Sequence, residues 1–553
     1  MSEAPDPPPR HHGAATLLAE FRSQLACSMR TAGLSDEKFG RRIGFDRTTV
    51  NKVRNGRLEP SPQFAQKVRD EFGQALWGLW SAWDTATRDE RTNARRRQVR
   101  KPEQADTLLA TVPRLPARTL GTLEFMAWVA ERSGLSFQEI YDAVVARIDR
   151  LEAVAPALRY EQAHRRGQIT RAQLAQALAS YYRDPCPGDI GAAFYRARVG
   201  GVPLATSILV QPSWLDATVA LATDQERFRL AAADPLAGPL NGVALEAALL
   251  RLANVEISGT VFVNNPVYRL LDIDVARHRL EATVAPADFT SYALTMDLLE
   301  TELINSLATN PARIQARLPL RDAYLPTLGS ALAIGSRLCV GGPVALLAVA
   351  RGGTRRSQRQ SDFVLLIQER SARVLNVTGK LAVVPKAFHE PTVELAEEAS
   401  LSTSLERELE EELLGRHDLE YLTEDSYRRP DPFHPDRLSE PMRWLLERRG
   451  TDAYRTECLG FGINMLTGNY EFPCLIVMDD EEWWARYGGQ VQANWKIARI
   501  RCYSSRDTTG LQALATDPRW SNEGLFAFLE GLRRLAHLDT GSRVALPTLE
   551  VQW

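Results

Sequence analysis

The sequence predicts a multidomain chain: an all-α unit first, a mostly α middle domain, and an α/β domain last. Three observations lead there. Helix-start and turn signals are packed tightly between residues 14 and 82. Apolar residues then recur at helical spacing from Leu120 to about Leu318. From about Pro319 apolar, β-type runs alternate with helical stretches. A length of 553 residues is room for about three to four domains.

The boundaries follow composition. Residues 1–13 are polar and Pro-rich and are expected to be a disordered tail. Residues 14–82 form the helical unit. Residues 83–118 read as a linker with the basic run Arg95-Arg96-Arg97-Gln98-Val99-Arg100-Lys101 followed by Pro102, Pro113 and Pro116. Residues 119–318 form the helical domain, with one strand-like insertion expected at Val255–Val263. Residues 319–553 form the α/β domain, its strands at Val344–Ala350, Phe363–Ile367 and Cys474–Met478. Its helices are expected near Glu394–Leu414 and Asn522–Leu535.

Composition excludes several classes. The net charge is −2, so affinity for a polyanion requires a local basic patch. The six cysteines (Cys27, Cys186, Cys339, Cys458, Cys474, Cys502) include no CxxC pair, which argues against a zinc site and a disulfide framework. The Pro-rich start lacks the apolar core of a signal peptide, and no apolar run reaches the roughly 18 residues of a membrane span. A cytoplasmic location is expected. Arginine outnumbers lysine 60 to 7, which points to a GC-rich genome more than to a function.

The most informative segment is Gly33 to Pro60. Ser35 is a suitable N-cap, Asp36 and Glu37 lie where a helix dipole favours negative charge, and Gly44 suits a turn of positive φ. Asp46 is placed to cap a second helix. On that helix Val50 and Val53 face inward, Thr48, Asn51 and Lys52 outward, with Arg47 and Thr49 on the flanks. These side chains suit base edges and phosphates. Between residues 28 and 70 ten basic side chains oppose five acidic ones, which favours a polyanion.

Ser35, Phe39-Gly40, Gly44, Val50, Val53, the Asn55-Gly56-Arg57 corner and Pro60 together resemble the Cro/cI-type (XRE) helix-turn-helix family over residues 15–75. The resemblance implies double-stranded DNA as partner and a recognition helix at 47–52, with Arg47, Thr48, Thr49, Asn51, Lys52 and Arg57 at the interface. Two departures stand out. Asp36 replaces a common glutamine that contacts phosphate, and Arg54 replaces the usual glutamate before the glycine corner.

The second constellation is Arg407-Glu408-Leu409-Glu410-Glu411-Glu412. Glu408, Glu411 and Glu412 fall at i, i+3 and i+4, while Leu401, Leu405, Leu409 and Leu413 form an apolar stripe with Glu412 inside it. Carboxylates at a core rim require a partner: Mg²⁺, Arg407 or a basic ligand. An acidic helix docked on the basic linker or on another subunit is the alternative.

This hexapeptide resembles the heart of the Nudix box, and the likeness extends over about residues 330–545. It implies Mg²⁺ held by Glu408, Glu411 and Glu412. The rest of the box is degenerate. Val393 and Leu414 stand at glycine positions, and Ala399 at a glutamate position with Glu398 one residue out of register. The loop reads Pro385-Lys386-Ala387. These changes disfavour hydrolysis more than fold. Lys380 and Lys386 bracket the loop and are candidates for a phosphate or for plain exposure. His389 is a base, a phosphate contact or a packing residue.

Residues 120–318 show no nucleophile pair, metal spacing or phosphate loop; aromatic residues such as Trp128, Tyr141, Tyr160 and Tyr182 are spaced like a core. Coupling or dimerisation remains by elimination. The expected function is a sequence-specific DNA-binding transcription regulator whose last domain senses a nucleotide-type or phosphorylated metabolite, working as a homodimer or higher oligomer. A Mg²⁺-dependent hydrolase of nucleoside diphosphate derivatives and a partner-binding scaffold are the alternatives.

Overall fold

A computed structural model describes residues 14–55, 58, 60, 62–72, 76, 79–80, 122–182, 191–232, 238–258, 260, 262–309, 318–353, 360–370, 379–391, 395–396, 398–414, 438–491, 497–538 and 543–552. The expected tail, the basic run at 95–101 and Arg57 lie outside these residues. The chain divides into two compact units, Met1–Leu115 and Pro116–Trp553.

The first unit contains helices α1 (Ala14–Thr31), α2 (Asp36–Ile43), α3 (Arg47–Arg54) and α4 (Pro62–Phe72). Its core is Phe21, Leu25, Phe39, Ile43, Val50, Val53, Phe64 and Val68, each at most 4 % exposed. Phe39 stacks on Phe72 at 5.2 Å, and the Trp80 indole N–H donates to the Pro60 carbonyl at 3.1 Å.

The second unit mixes helices with a large sheet. Helices α5 (Leu123–Ser133), α6 (Phe137–Ala153), α7 (Pro156–Gly167) and α8 (Arg171–Tyr181) come first. Ser136 and Thr170 begin α6 and α8 with reciprocal capping boxes, so Ser136 serves ordinary helix-start chemistry. Strands β1 (Ala193–Val199), β2 (Val202–Val210), β3 (Val219–Ala220) and β4 (Glu226–Leu230) follow, then α9 (Gly242–Ser258) and the hairpin β5 (Pro266–Ala276) and β6 (Arg279–Asp288). After α10 (Leu298–Thr309) come β7 (Gly341–Arg351), β8 (Asp362–Arg370), β9 (Leu381–Val383), α11 (Leu401–Leu413) and α12 (Glu440–Leu446). The chain ends with β10 (Tyr454–Cys458), β11 (Gly462–Asn464), β12 (Asn469–Met478), α13 (Glu481–Tyr487), β13 (Ile497–Ser504), α14 (Thr508–Ala515), α15 (Asn522–His537) and β14 (Leu549–Gln552).

Eleven strands form one sheet in the order β13-β8-β7-β12-β11-β2-β1-β14, with β9 on β8 and β10 between β12 and β3. β7 and β12 pair in parallel, Leu347 opposite Ile476; the other pairings in this sheet are antiparallel among the described residues. A second sheet has the order β4-β6-β5. Alternation sorts the side chains of the large sheet. Leu346, Ala348, Phe363, Leu365, Leu475 and Val477 pack under α14 and α15. Leu347, Val349, Val364, Leu366, Ile476 and Met478 pack against α11, α12 and α13. Gly531 lets α15 lie close on β7, because a β-carbon there would stand 2.8 Å from Leu346.

These facts correct four expectations. Residues 119–318 are not a helical domain of their own, because β1, β2 and β3 belong to the sheet of the C-terminal strands. The cause is pairing at long range: Ile463 on β11 faces Leu209 on β2, and Val551 on β14 faces Ala197 on β1. The strand-like stretch at Val255 begins inside α9, where Val255 continues the buried stripe of Leu249, Leu252 and Ala253. The helix expected from Glu394 starts at Leu401, where Ser400 caps it and Glu226 of β4 accepts the Leu401 N–H at 2.6 Å. Tyr160 is 73 % exposed and is not core.

Candidate functional site

Two places carry chemistry. The first is the edge formed by α2 and α3. The Ser35 hydroxyl accepts the Lys38 N–H at 3.3 Å and opens α2. Gly44 ends α2 at φ 78°. At Gly40 a β-carbon would lie 2.5 Å from the Phe45 carbonyl oxygen, so only glycine lets the turn pass. Asp46 caps α3 by accepting the Thr49 N–H at 2.9 Å and the Thr49 hydroxyl at 2.6 Å.

Val50 and Val53 are buried and hold α3 from behind, while Arg47, Thr48 and Lys52 are exposed. Arg22 of α1 fixes the C-terminal end of the helix, its Nε donating to the Val53 carbonyl at 3.1 Å and its Nη2 to the Leu58 carbonyl at 3.3 Å.

Asn51 and Thr49 do not stand free as expected. The Asn51 amide donates to Asp36 Oδ2 at 2.8 Å, and Arg54 Nε lies 3.0 Å from Asp36 Oδ1. The two departures from the family pattern, Asp36 and Arg54, therefore pair with each other, and Asn51 is drawn in with them. Thr49 is half-buried and committed to the Asp46 cap.

The second place is a buried polar cluster around Lys386, in the loop after β9. The Lys386 N–H donates to Glu412 Oε2 at 3.1 Å, and Arg370 Nη1 reaches Glu412 Oε1 at 3.3 Å. Both oxygens of Glu412 thus have protein partners. The Lys386 ammonium pairs with Glu523 in the first turn of α15. Asn464 Nδ2 donates to the other Glu523 oxygen at 3.4 Å, and its Oδ1 accepts from the Ser207 hydroxyl at 3.1 Å.

Two further carboxyl groups border this pair. Burial, reinforced by the nearby Glu523, pushes Glu471 up to about 8 against the pull of Lys386 and an Asn464 hydrogen bond. Burial, with Asp297 and Glu523 adding, pushes Glu300 up to about 7 although Lys380 and Lys386 oppose it. Lys386 lowers Glu523 and keeps it ionised against its burial. Carboxyl groups raised this far by burial have their titration range near neutral pH, a feature found at functional sites.

The remaining sequence candidates divide. Arg407 is buried and its Nη1 donates to the Glu390 carbonyl at 2.7 Å, tying α11 to the loop. His389 is fully buried, its Nδ1 3.1 Å from the Tyr470 hydroxyl and its ring 4.5 Å from that of Tyr268. Burial first, then the Arg407 charge, drive it down to about 3, so it is a neutral packing residue. Glu408 and Glu411 are buried with Glu412 on α11. Among the described residues no group of three or more His, Cys, Asp or Glu side chains is arranged to hold a metal ion.

Sequence reasoning missed Glu300, Glu471, Glu523 and Asn464. A signal existed for two of them. Glu471 is the one charge inside the apolar run Tyr470–Met478, and Glu523 follows the cap Ser521 at a helix start. Comparison with protein-family models and with curated proteins returns no match.

Proposed function

We propose that this chain is a sequence-specific DNA-binding transcription regulator of the Cro/cI-type helix-turn-helix kind. One observation carries the reading: α3 presents exposed Arg47, Thr48 and Lys52 while Val50 and Val53 anchor its opposite side. Arg and Lys at such positions meet phosphates or guanine, and Thr meets a thymine methyl. The DNA-facing set is therefore narrower than the residue types alone suggest, because Asn51 is engaged by Asp36. Location in the cytoplasm and work as a homo-oligomer belong to the same reading.

The Nudix-like resemblance of the last third supplies the sensing half of the proposal. A nucleotide-type or phosphorylated metabolite would act near Lys380 and Lys386, where Lys386 acts on Glu300, Glu471 and Glu523 and Lys380 on Glu300. Such a ligand changes DNA affinity only by binding two protein states unequally. Sensing is favoured over Mg²⁺-dependent hydrolysis because Glu412 is held by Arg370 and the Lys386 N–H.

Selection of bound fragments from a random duplex pool, followed by anisotropy titration of the full chain at low salt, tests the first half. Enrichment of one motif supports it; no retention of any duplex ends it. For the second half, nucleoside diphosphate derivatives are screened by thermal shift with and without Mg²⁺. A stabilised chain with no turnover is expected, and turnover lost in Glu412→Gln would replace the sensor with an enzyme.

A further inference from the structure

Helix α9 carries aliphatic residues on its outer face as well as in its buried stripe. Its outer face carries Val243, Glu246, Leu250, Asn254 and Ile257, all exposed, with Val243 at 51 %, Leu250 at 41 % and Ile257 at 37 %. The three aliphatic residues are seven apart and form one stripe along the helix. Two of its three charged side chains, Arg251 and Glu256, are turned to the protein instead. Arg251 Nη2 donates to Asp297 at 2.6 Å, and Glu256 accepts the Thr122 N–H at 2.7 Å. An amphipathic surface helix keeps aliphatic residues to the buried face alone and turns its charges outward. An outer face of this kind costs free energy in water unless something covers it.

The face is complementary to itself. A two-fold axis through Leu250, perpendicular to the helix, places residue 250 + k of one copy opposite residue 250 − k of the other. Val243 then meets Ile257 of the second copy, Leu250 meets Leu250, and Glu246 meets Asn254. Aliphatic faces aliphatic at three levels. The carboxylate of Glu246, already held by Arg147, faces an amide with an N–H to spare beyond its own bond to the Leu250 carbonyl. In a parallel pairing Glu246 would face Glu246 and repel it.

We infer that α9 is a dimerisation helix whose occupant is α9 of a second copy, packed antiparallel about Leu250. The aliphatic area is modest, so the contact is a weak one of the transient class, well below the about 1,600 Å² of a standard interface. It is suited to a chain that pairs reversibly. The inference does not depend on the first unit binding DNA.

The test uses the full chain without DNA. Sedimentation at tens of micromolar should give a reversible monomer–dimer equilibrium for the wild type, and monomer for Leu250→Glu with an unchanged thermal transition. Cross-linking covers the case in which that variant unfolds. In a chain with Cys27, Cys186 and Cys502 replaced by serine, Leu250→Cys should oxidise to a covalent dimer. Val243→Cys alone should not, because its two copies would lie roughly 21 Å apart along the helices. A mixture of Val243→Cys and Ile257→Cys chains should cross-link. A wild type that stays monomeric, a dimer unaffected by Leu250→Glu in a folded chain, or self-linking of Val243→Cys would each overturn the assignment.

Discussion

Asp36 at the start of α2 accepts a hydrogen bond from the Asn51 amide at 2.8 Å and pairs with Arg54 at 3.0 Å, joining the two helices of the candidate DNA edge through one carboxylate. Because Asn51 is engaged, Asn51→Ala should leave sequence preference nearly unchanged. Thr48→Ala should lower preference at one base step by about 1–3 kcal/mol. Asp36→Gln should tighten binding to all duplexes and steepen its salt dependence by releasing the Arg54 charge. Anisotropy titrations of the three variants on matched and scrambled duplexes over a salt series decide this. Equal losses for Thr48→Ala and Asn51→Ala would return Asn51 to the reading face.

The pairing of Lys386 with Glu523 is buried, with the carboxylate 3 % exposed. Lys386→Met leaves that charge alone in the interior and should cost about 3–5 kcal/mol. The double change with Glu523→Gln should recover most of the loss, since both charges are gone and Asn464 still has an oxygen to donate to. Urea unfolding followed by tryptophan fluorescence measures both. Losses that simply add would mean that the two side chains do not interact.

Glu471 gives the second unit a pH dependence of definite sign. Its folded value of about 8 lies above the ordinary 4.5, so the native state holds a proton that the unfolded chain has released. Stability therefore falls as pH rises through that window. Glu471→Gln should flatten the decline between about pH 5 and pH 8. His389 works at the acid end. Its folded value of about 3 lies below 6.5, so stability is lost as pH falls from 6.5 towards 3, and His389→Gln should soften acid unfolding. Midpoint temperatures across a pH series check both, and profiles parallel to the wild type would contradict the assignments.

How far the sequence reveals this molecule depends on the range of the interactions. Helix caps are local, and Ser35, Asp46, Ser136 and Thr170 all act where their neighbours in sequence place them. The buried runs at Val344, Phe363 and Cys474 are strands, as their β-type residues indicate, whereas the similar stretch at Val255 continues a helix. The sheet order is not local. Nothing in Val202–Val210 tells that β2 will lie beside Ile463, more than 250 residues away. The polar cluster fails for the same reason. Glu300, Lys386, Glu471 and Glu523 come from four separate elements, and Lys386 opposes the effect of burial on all three carboxyl groups. Arg407 to Glu412 were legible as a group, but the partners of Glu412 come from the distant loop at Lys386 and the strand at Arg370.

The division of the second unit leads to the last prediction. Arg321 is fully buried, its Nη2 donating to the Leu466 carbonyl at 2.8 Å and its Nη1 to the Tyr182 hydroxyl at 3.1 Å. It thus joins α8 to the turn before β12. On the sheet, β2 covers β11, β1 covers β2, and β14 pairs with β1. A fragment of residues 319–553 loses all of these partners. It would expose the β11 edge and leave β14 with no strand to join, a situation that promotes aggregation. It should therefore be insoluble or collapse without a cooperative melting transition. Residues 116–553 should fold with the transition the second unit shows in the full chain. Calorimetry of both fragments decides the point: a cooperative, soluble 319–553 fragment would restore a domain boundary near Leu318 and demote the long-range strand pairs to a docking contact.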